Sequence, residues 1–385
     1  MRTIKPPSPW LTALAGLLCL VIAMGISRFL LTPMLPVMQR AQGLSLVSGA
    51  WLAAATNIGY LIGALSCLAL KQRPIALLRA GVLIAALFTL AMGLTEQQPA
   101  WLLFRFLIGA ASAWIMVYGT ALVTAQLHRV GSTRLDGVFF AGTGVGIAVT
   151  GVLVPMLASL QFGPGAIWIG FGAVAALLLV PIWLQVKEVP AAASTPTTGP
   201  ALPPGALPLI IAYGLIGFSY AIPATFLPLI ARQLLQVPVL ADRLWPLYGV
   251  AAAVTTLVLP HIGLPPKGNR PALGVCQLGM LIGILLCLSW PGVASVTIAT
   301  LLLGSALMAV VMLTMREAHR IAVGSATALV AALTSAFGLG QIVGPVVAGY
   351  AAEHSGSFIG ALWIAVAALL IGLVAALWPE RTTPR

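Results

Sequence analysis

Charge is scarce in this 385-residue chain, at 7% Asp, Glu, Lys and Arg against roughly 25% in a soluble domain. So few ionic groups cannot cover the surface of a soluble globule of this size. A soluble enzyme, a charge-rich disordered chain and a disulfide-stapled secreted domain are all excluded. Acidic residues are the scarcest: seven, against 19 Lys and Arg. All seven (Glu96, Asp136, Glu188, Asp242, Glu317, Glu353 and Glu380) fall in loops or at helix ends, so no carboxylate belongs to a span interior. The four cysteines, Cys19, Cys67, Cys276 and Cys287, sit singly in apolar runs without His or Cys at metal-ligand spacing, and read as small core hydrophobes. No P-loop, G-x-S-x-G or H-E-x-x-H occurs. The reading is a non-enzyme without metal or cofactor, and not driven directly by ATP.

What the chain has is apolar length: 60% of its residues are hydrophobic. A bilayer span takes about 20 apolar residues. That ruler gives twelve segments, near 10–38, 45–70, 75–94, 99–126, 137–160, 165–186, 208–232, 244–263, 271–290, 293–315, 322–351 and 357–378. The first follows a basic start but continues through Arg28 without a small-residue cleavage site, so it reads as an uncleaved helix. The net charge of +12 does not indicate nucleic acid, because the basic residues stand singly or in pairs between apolar runs. With both termini inside, fourteen Lys and Arg fall on the cytoplasmic side and only Arg40, Arg232 and Arg243 opposite, the bias expected of membrane topology.

A stretch rich in Pro, Thr, Ala and Gly at 187–207 reads as a cytoplasmic linker between two halves, 1–186 and 208–385. The halves repeat. A shift of 192 places Gly25, Ser27, Leu35, Pro36 and Arg40 on Gly217, Ser219, Leu227, Pro228 and Arg232. A shift of 191 places His128 and Arg129 on His319 and Arg320, and one of 194 places Gly144 and Gly146 on Gly338 and Gly340. Near-constant offsets at corresponding spans indicate a parallel 6+6 duplication.

Twelve spans, the repeat, the central linker and inside termini resemble the major facilitator superfamily. So does Arg105-Phe106-Leu107-Ile108-Gly109 in the fourth span, like that superfamily's R-x-x-x-G motif. The stretch from Gly25 to Pro36, with Gly340-Gln341-Ile342-Val343-Gly344-Pro345, is similar to the YbfB/YjiJ branch of bacterial transporters. The resemblance implies an all-α membrane protein of two pseudo-symmetric six-helix bundles in the bacterial inner membrane, monomeric and surrounded by lipid. Spans 1, 4, 7 and 10 would line a central cavity. The loop after the second span departs from the superfamily pattern: Leu70-Lys71-Gln72-Arg73-Pro74 lacks its usual Asp. Lack of a buried carboxylate, the usual proton carrier among such transporters, leaves facilitated diffusion, anion exchange, or symport of a proton on the substrate's own carboxylate.

Two arginines lie inside spans, Arg28 and Arg105, and each needs a reason to be there. Arg28 reads either as an anion-binding guanidinium or as a donor to backbone carbonyls at a helix break. Arg105, followed by Gly109 and Ser112, reads more as structure or gating, with anion binding as the other reading. Tyr220 occupies the repeat position of Arg28 and should face it. Asn57, Tyr60 and Gln341 complete the candidate set, each also readable as a helix–helix hydrogen bond. Trp114 and Tyr118 read as cavity wall or as packing, and His128 and His319 as interfacial loop residues. The expected cargo is a small organic anion, with or without a co-transported or exchanged ion; the alternative is export of hydrophobic, drug-like compounds.

Overall fold

A computed structural model describes residues 8–70, 73–188, 202–203, 205–235, 237–322 and 327–378. Twelve of the described helices are long and apolar enough to cross a membrane, and no strand occurs among the described residues. They are α1 (Pro9–Gln42), α2 (Leu46–Ala69), α3 (Pro74–Ala91), α4 (Gln98–Arg129), α5 (Asp136–Ser159) and α6 (Pro164–Gln185), then α7 (Ala206–Leu235), α8 (Pro238–Val258), α9 (Asn269–Ser289), α10 (Val293–Ile321), α11 (Thr327–Ser355) and α12 (Ile359–Ala376). Helices α1, α3, α4, α6 and α8 carry proline in their first turn, where its missing N–H leaves no helical bond unmade.

Each apolar run of the sequence corresponds to one helix, and the differences are at ends. The eighth helix starts at Pro238, six residues before the expected 244. Its extra turn carries Asp242, whose charge is neutralised by Arg232 of α7 at 2.6 Å. The tenth extends to Ile321 and so takes Glu317 into a helix. Most of the 187–207 linker, and Lys71 in the loop after α2, lie outside the described residues.

Packing follows the duplication. Within the first half α2 packs on α4, α3 on α4 and α6, and α1 on α5; in the second, α8 packs on α10, α9 on α10 and α12, and α7 on α11. The halves meet along α5–α8 and α2–α11, which the repeat interchanges. Close approach there needs glycine: a Cβ on Gly144 would stand 2.5 Å from the carbonyl oxygen of Gly249, and one on Gly249 2.6 Å from that of Gly144. Leu87, Leu177, Val275 and Ile371 are exposed on the outer wall, a surface suited to acyl chains rather than water.

Candidate substrate-binding site

Helix α1 is not a regular α-helix. Its central residues, Val21–Phe29, are π-helical, a widened register with i→i+5 hydrogen bonds that often marks functional sites. In that register the donor for the Arg28 carbonyl is residue 33, a proline without an N–H. Arg105 takes the carbonyls instead. Its Nη1 donates to Ser27 O at 2.6 Å, its Nη2 to Arg28 O at 2.8 Å and its Nε to Thr56 Oγ1 at 2.8 Å. Ser112, further along α4, donates to Ala23 O at 2.9 Å. Arg105 is 1% exposed and its fork is taken up by α1 and α2.

Arg28 is thereby held out toward a cavity of about 270 Å³ between the halves. Its Nη2 donates to Asn57 Oδ1 at 2.8 Å and to Gln341 Oε1 at 2.9 Å. Both acceptors are neutral amides, and among the described residues no carboxylate pairs with this guanidinium. Its Nη1 has only the Met24 sulfur at 4.0 Å, and no bond is made by Nε. The N–H groups of Nη1 and Nε are therefore unused. The guanidinium carbon lies 4.5 Å from the Tyr60 ring centroid and 5.5 Å from that of Phe29, contacts that help hold a cation away from water.

The amides are positioned by a second proline. Pro345 has no N–H to offer the carbonyl of Gln341, four residues earlier, and Asn57 Nδ2 donates to that carbonyl at 2.7 Å instead. Asn57 thus joins α2 to α11 while orienting Arg28.

The cavity extends from Arg28 toward the end at which α1 begins and α12 finishes. Met24 of α1 and Tyr213 of α7 precede Arg28 and Tyr220, while Met116 of α4 and Leu307, Met308, Val311 and Met315 of α10 complete the wall. Helices α2, α5 and α11 contribute as well, through Tyr60, Phe140, Thr143, Thr334 and Phe337; the wall is broader than spans 1, 4, 7 and 10. Phe337 stacks on Tyr213 at 4.4 Å and on Tyr220 at 6.1 Å. The hydroxyls of Tyr220 and Thr143 are buried and have no hydrogen-bond partner, leaving two unused polar groups on a largely apolar wall.

Of the residues singled out in the sequence, Arg28, Tyr60, Tyr220 and Gln341 line this cavity together. Asn57 stands behind Arg28, and Arg105 behind the backbone of α1. Trp114 and Tyr118 are packing: they donate to Ser66 Oγ at 2.8 Å and Leu70 O at 2.7 Å at the end of α2. His128 meets Asp136 at 2.6 Å and His319 the Met315 carbonyl at 2.8 Å. The cavity methionines, Tyr213 and Phe337 were not anticipated. Their signal is periodic, with Leu307, Val311 and Met315 four apart and Met24 four before Arg28, but periodicity marks a face without saying what it faces.

Beyond the cavity the halves are in contact. Thr32 Oγ1 donates to Ala224 O at 2.5 Å, a carbonyl freed because residue 228, four further on, is proline. Phe29 meets Trp245 edge-on at 6.2 Å, and Val47 N donates to Glu353 Oε2 at 2.8 Å.

A family profile described as "Uncharacterised MFS-type transporter YbfB" matches residues 20–377. The chain belongs to this family of major facilitator transporters. Solved structures agree in fold. A point mutant of the nucleoside transporter NupG superposes with a TM-score of 0.78 at 12% identity, over 95% of this chain and 99% of that one. Unmutated NupG gives 0.73 at 13%, over 97% and 99%. The human organic anion transporter MFSD10 gives 0.65 at 18%, over 96% and 100%. No curated protein matches.

Proposed function

We propose that this transporter moves a small organic anion, a carboxylate, across the bacterial inner membrane by alternating access, with both chain termini cytoplasmic. The observation that carries the reading is the pair of unused donors of Arg28, Nη1 and Nε, beside a cavity. A carboxylate accepts charge-assisted hydrogen bonds from such guanidinium donors. Cargo would supply the counter-charge that the wall lacks, and a neutralised Arg28 could then be enclosed at lower cost as the halves rock. Tyr220 and Thr143 are available for a second polar group on the cargo, and the methionines and Phe337 for its apolar body. MFSD10, of the same fold, transports organic anions, which is in keeping with this assignment. The excess of Lys and Arg on one side supports the orientation.

Solute counterflow in proteoliposomes tests it. Arg28→Ala should lower carboxylate counterflow by roughly 100-fold or more, the loss of two buried ionic hydrogen bonds, and Arg28→Lys should restore only part. Wild-type counterflow in Arg28→Ala would refute the site. Four methionines, Met24, Met116, Met308 and Met315, on the wall support a second reading, export of hydrophobic compounds, since methionine suits promiscuous surfaces. Competition by neutral lipophiles that persists in Arg28→Ala would favour it.

A further inference from the structure

A second cavity, of about 220 Å³, lies at the opposite end of the molecule and shares no lining residue with the first. Trp245, on its wall, meets Phe29, on the wall of the first, so this aromatic pair stands between the two. We propose that this far-end cavity is a separate carboxylate-binding site built on Arg40 and Arg232.

The two arginines occupy the same position in the two repeats, each four residues after a proline, Pro36 and Pro228. Duplication therefore brings two guanidiniums to one cavity from α1 and α7. Only one carboxylate accompanies them: Asp242 pairs with Arg232 Nη2 at 2.6 Å. The three formal charges sum to +1, which one monovalent anion neutralises. Donors remain for it. Arg40 is exposed and uses only its Nε, on Pro36 O at 3.1 Å. The Nε of Arg232 and the indole N–H of Trp245 are buried without partners, and Trp245 is 1% exposed. A buried donor left unmade is costly, and a carboxylate can accept from several at once. Beside the polar Ser159 and Gln161, the wall offers apolar contact from Pro33, Val37, Pro155 and Ala158, which an organic acid can use and a small hydrated ion cannot.

The site does not depend on Arg28, and it can be read with the central site removed. Equilibrium dialysis of radiolabelled benzoate against detergent-purified protein, at fixed ionic strength, would use Arg28→Ala as the parent. That parent should retain one saturable site per chain. Adding Arg40→Gln and Arg232→Gln should weaken it at least tenfold, and Arg40→Lys with Arg232→Lys should largely restore it, which separates lost recognition from misfolding. Absence of binding to Arg28→Ala, or equal binding with and without the two Gln substitutions, would overturn the proposal. Displacement by equimolar chloride would overturn the assignment to carboxylates. Failure of the central site reads differently: wild type and Arg28→Ala would then bind the same number of benzoates.

Discussion

The two intramembrane arginines have the same chemistry and opposite situations. Arg105 commits its fork to two carbonyls and a hydroxyl; Arg28 keeps its Nη1 and Nε donors unused. Arg105 is thus a positioning residue, acting through the π-helical turn that presents Arg28. Arg105→Ala orphans Ser27 O and Arg28 O in a buried place, at about 1–3 kcal/mol for each unsatisfied group. The melting temperature should fall and carboxylate affinity with it. Arg105→Lys, which keeps charge but not the planar fork, should fall between. Thermal melting and the counterflow KM check this, and a wild-type melt for Arg105→Ala would remove the brace. At this scale the sequence identified both arginines but could not divide their roles, because the division rests on where the Ser27 and Arg28 carbonyls point.

Among elements, prolines have a consistent use. Pro345 frees the carbonyl that Asn57 takes, and Pro228 frees the one that Thr32 takes, so two helix irregularities become links between halves. The repeat also exposes an asymmetry. Near the end of α10, Glu317 is 1% exposed and joins Arg270 at 2.7 Å to Arg320 at 2.7 Å. Arg270 also donates to Trp378 O at 3.2 Å. In the first half, at a shift of 191, Gln126 stands for Glu317 and Arg79 for Arg270. Arg79 still donates to a tryptophan carbonyl, Trp183 O at 3.3 Å, yet its Nε and Gln126 Oε1 are both buried and unpartnered. Glu317→Gln removes the buried carboxylate that Arg270 and Arg320 share and should cost about 3 kcal/mol. Gln126→Glu should raise the melting temperature by supplying the missing partner. Differential scanning fluorimetry decides both, and a lower melt for Gln126→Glu would reject the equivalence. The sequence placed Glu317 at a helix end; its burial depends on α9 packing beside α10.

For the whole molecule, the Thr32–Ala224 and Val47–Glu353 contacts lie beyond the cavity, so the alternating access we propose requires them to part in turn. With the four native cysteines replaced by Ala, Thr32→Cys and Ala224→Cys joined through disulfides by a short bis-methanethiosulfonate should stop counterflow, and reduction should restore it. Counterflow at the uncrosslinked rate would show that this contact is not the moving one. At the α5–α8 path through Gly144 and Gly249 the backbones meet without bulky side chains between them, which suits the rocking that the proposal needs.

Solvent preference is additive along a chain, so the twelve spans, the duplication and the two buried cations are legible in residue order alone: apolar length, spacing and composition need no partner to be read. Even helix ends came within a few residues, except where a distant charge stabilises an extra turn, as Arg232 does for Asp242. Which faces meet is settled by long-range packing. It brought Arg28, Tyr60, Tyr220 and Gln341 to one cavity, set Arg105 behind them and buried Glu317 between two arginines. These are contacts between residues up to 313 positions apart, and hydrophobic periodicity, which records that a face is buried, carries no information on what buries it.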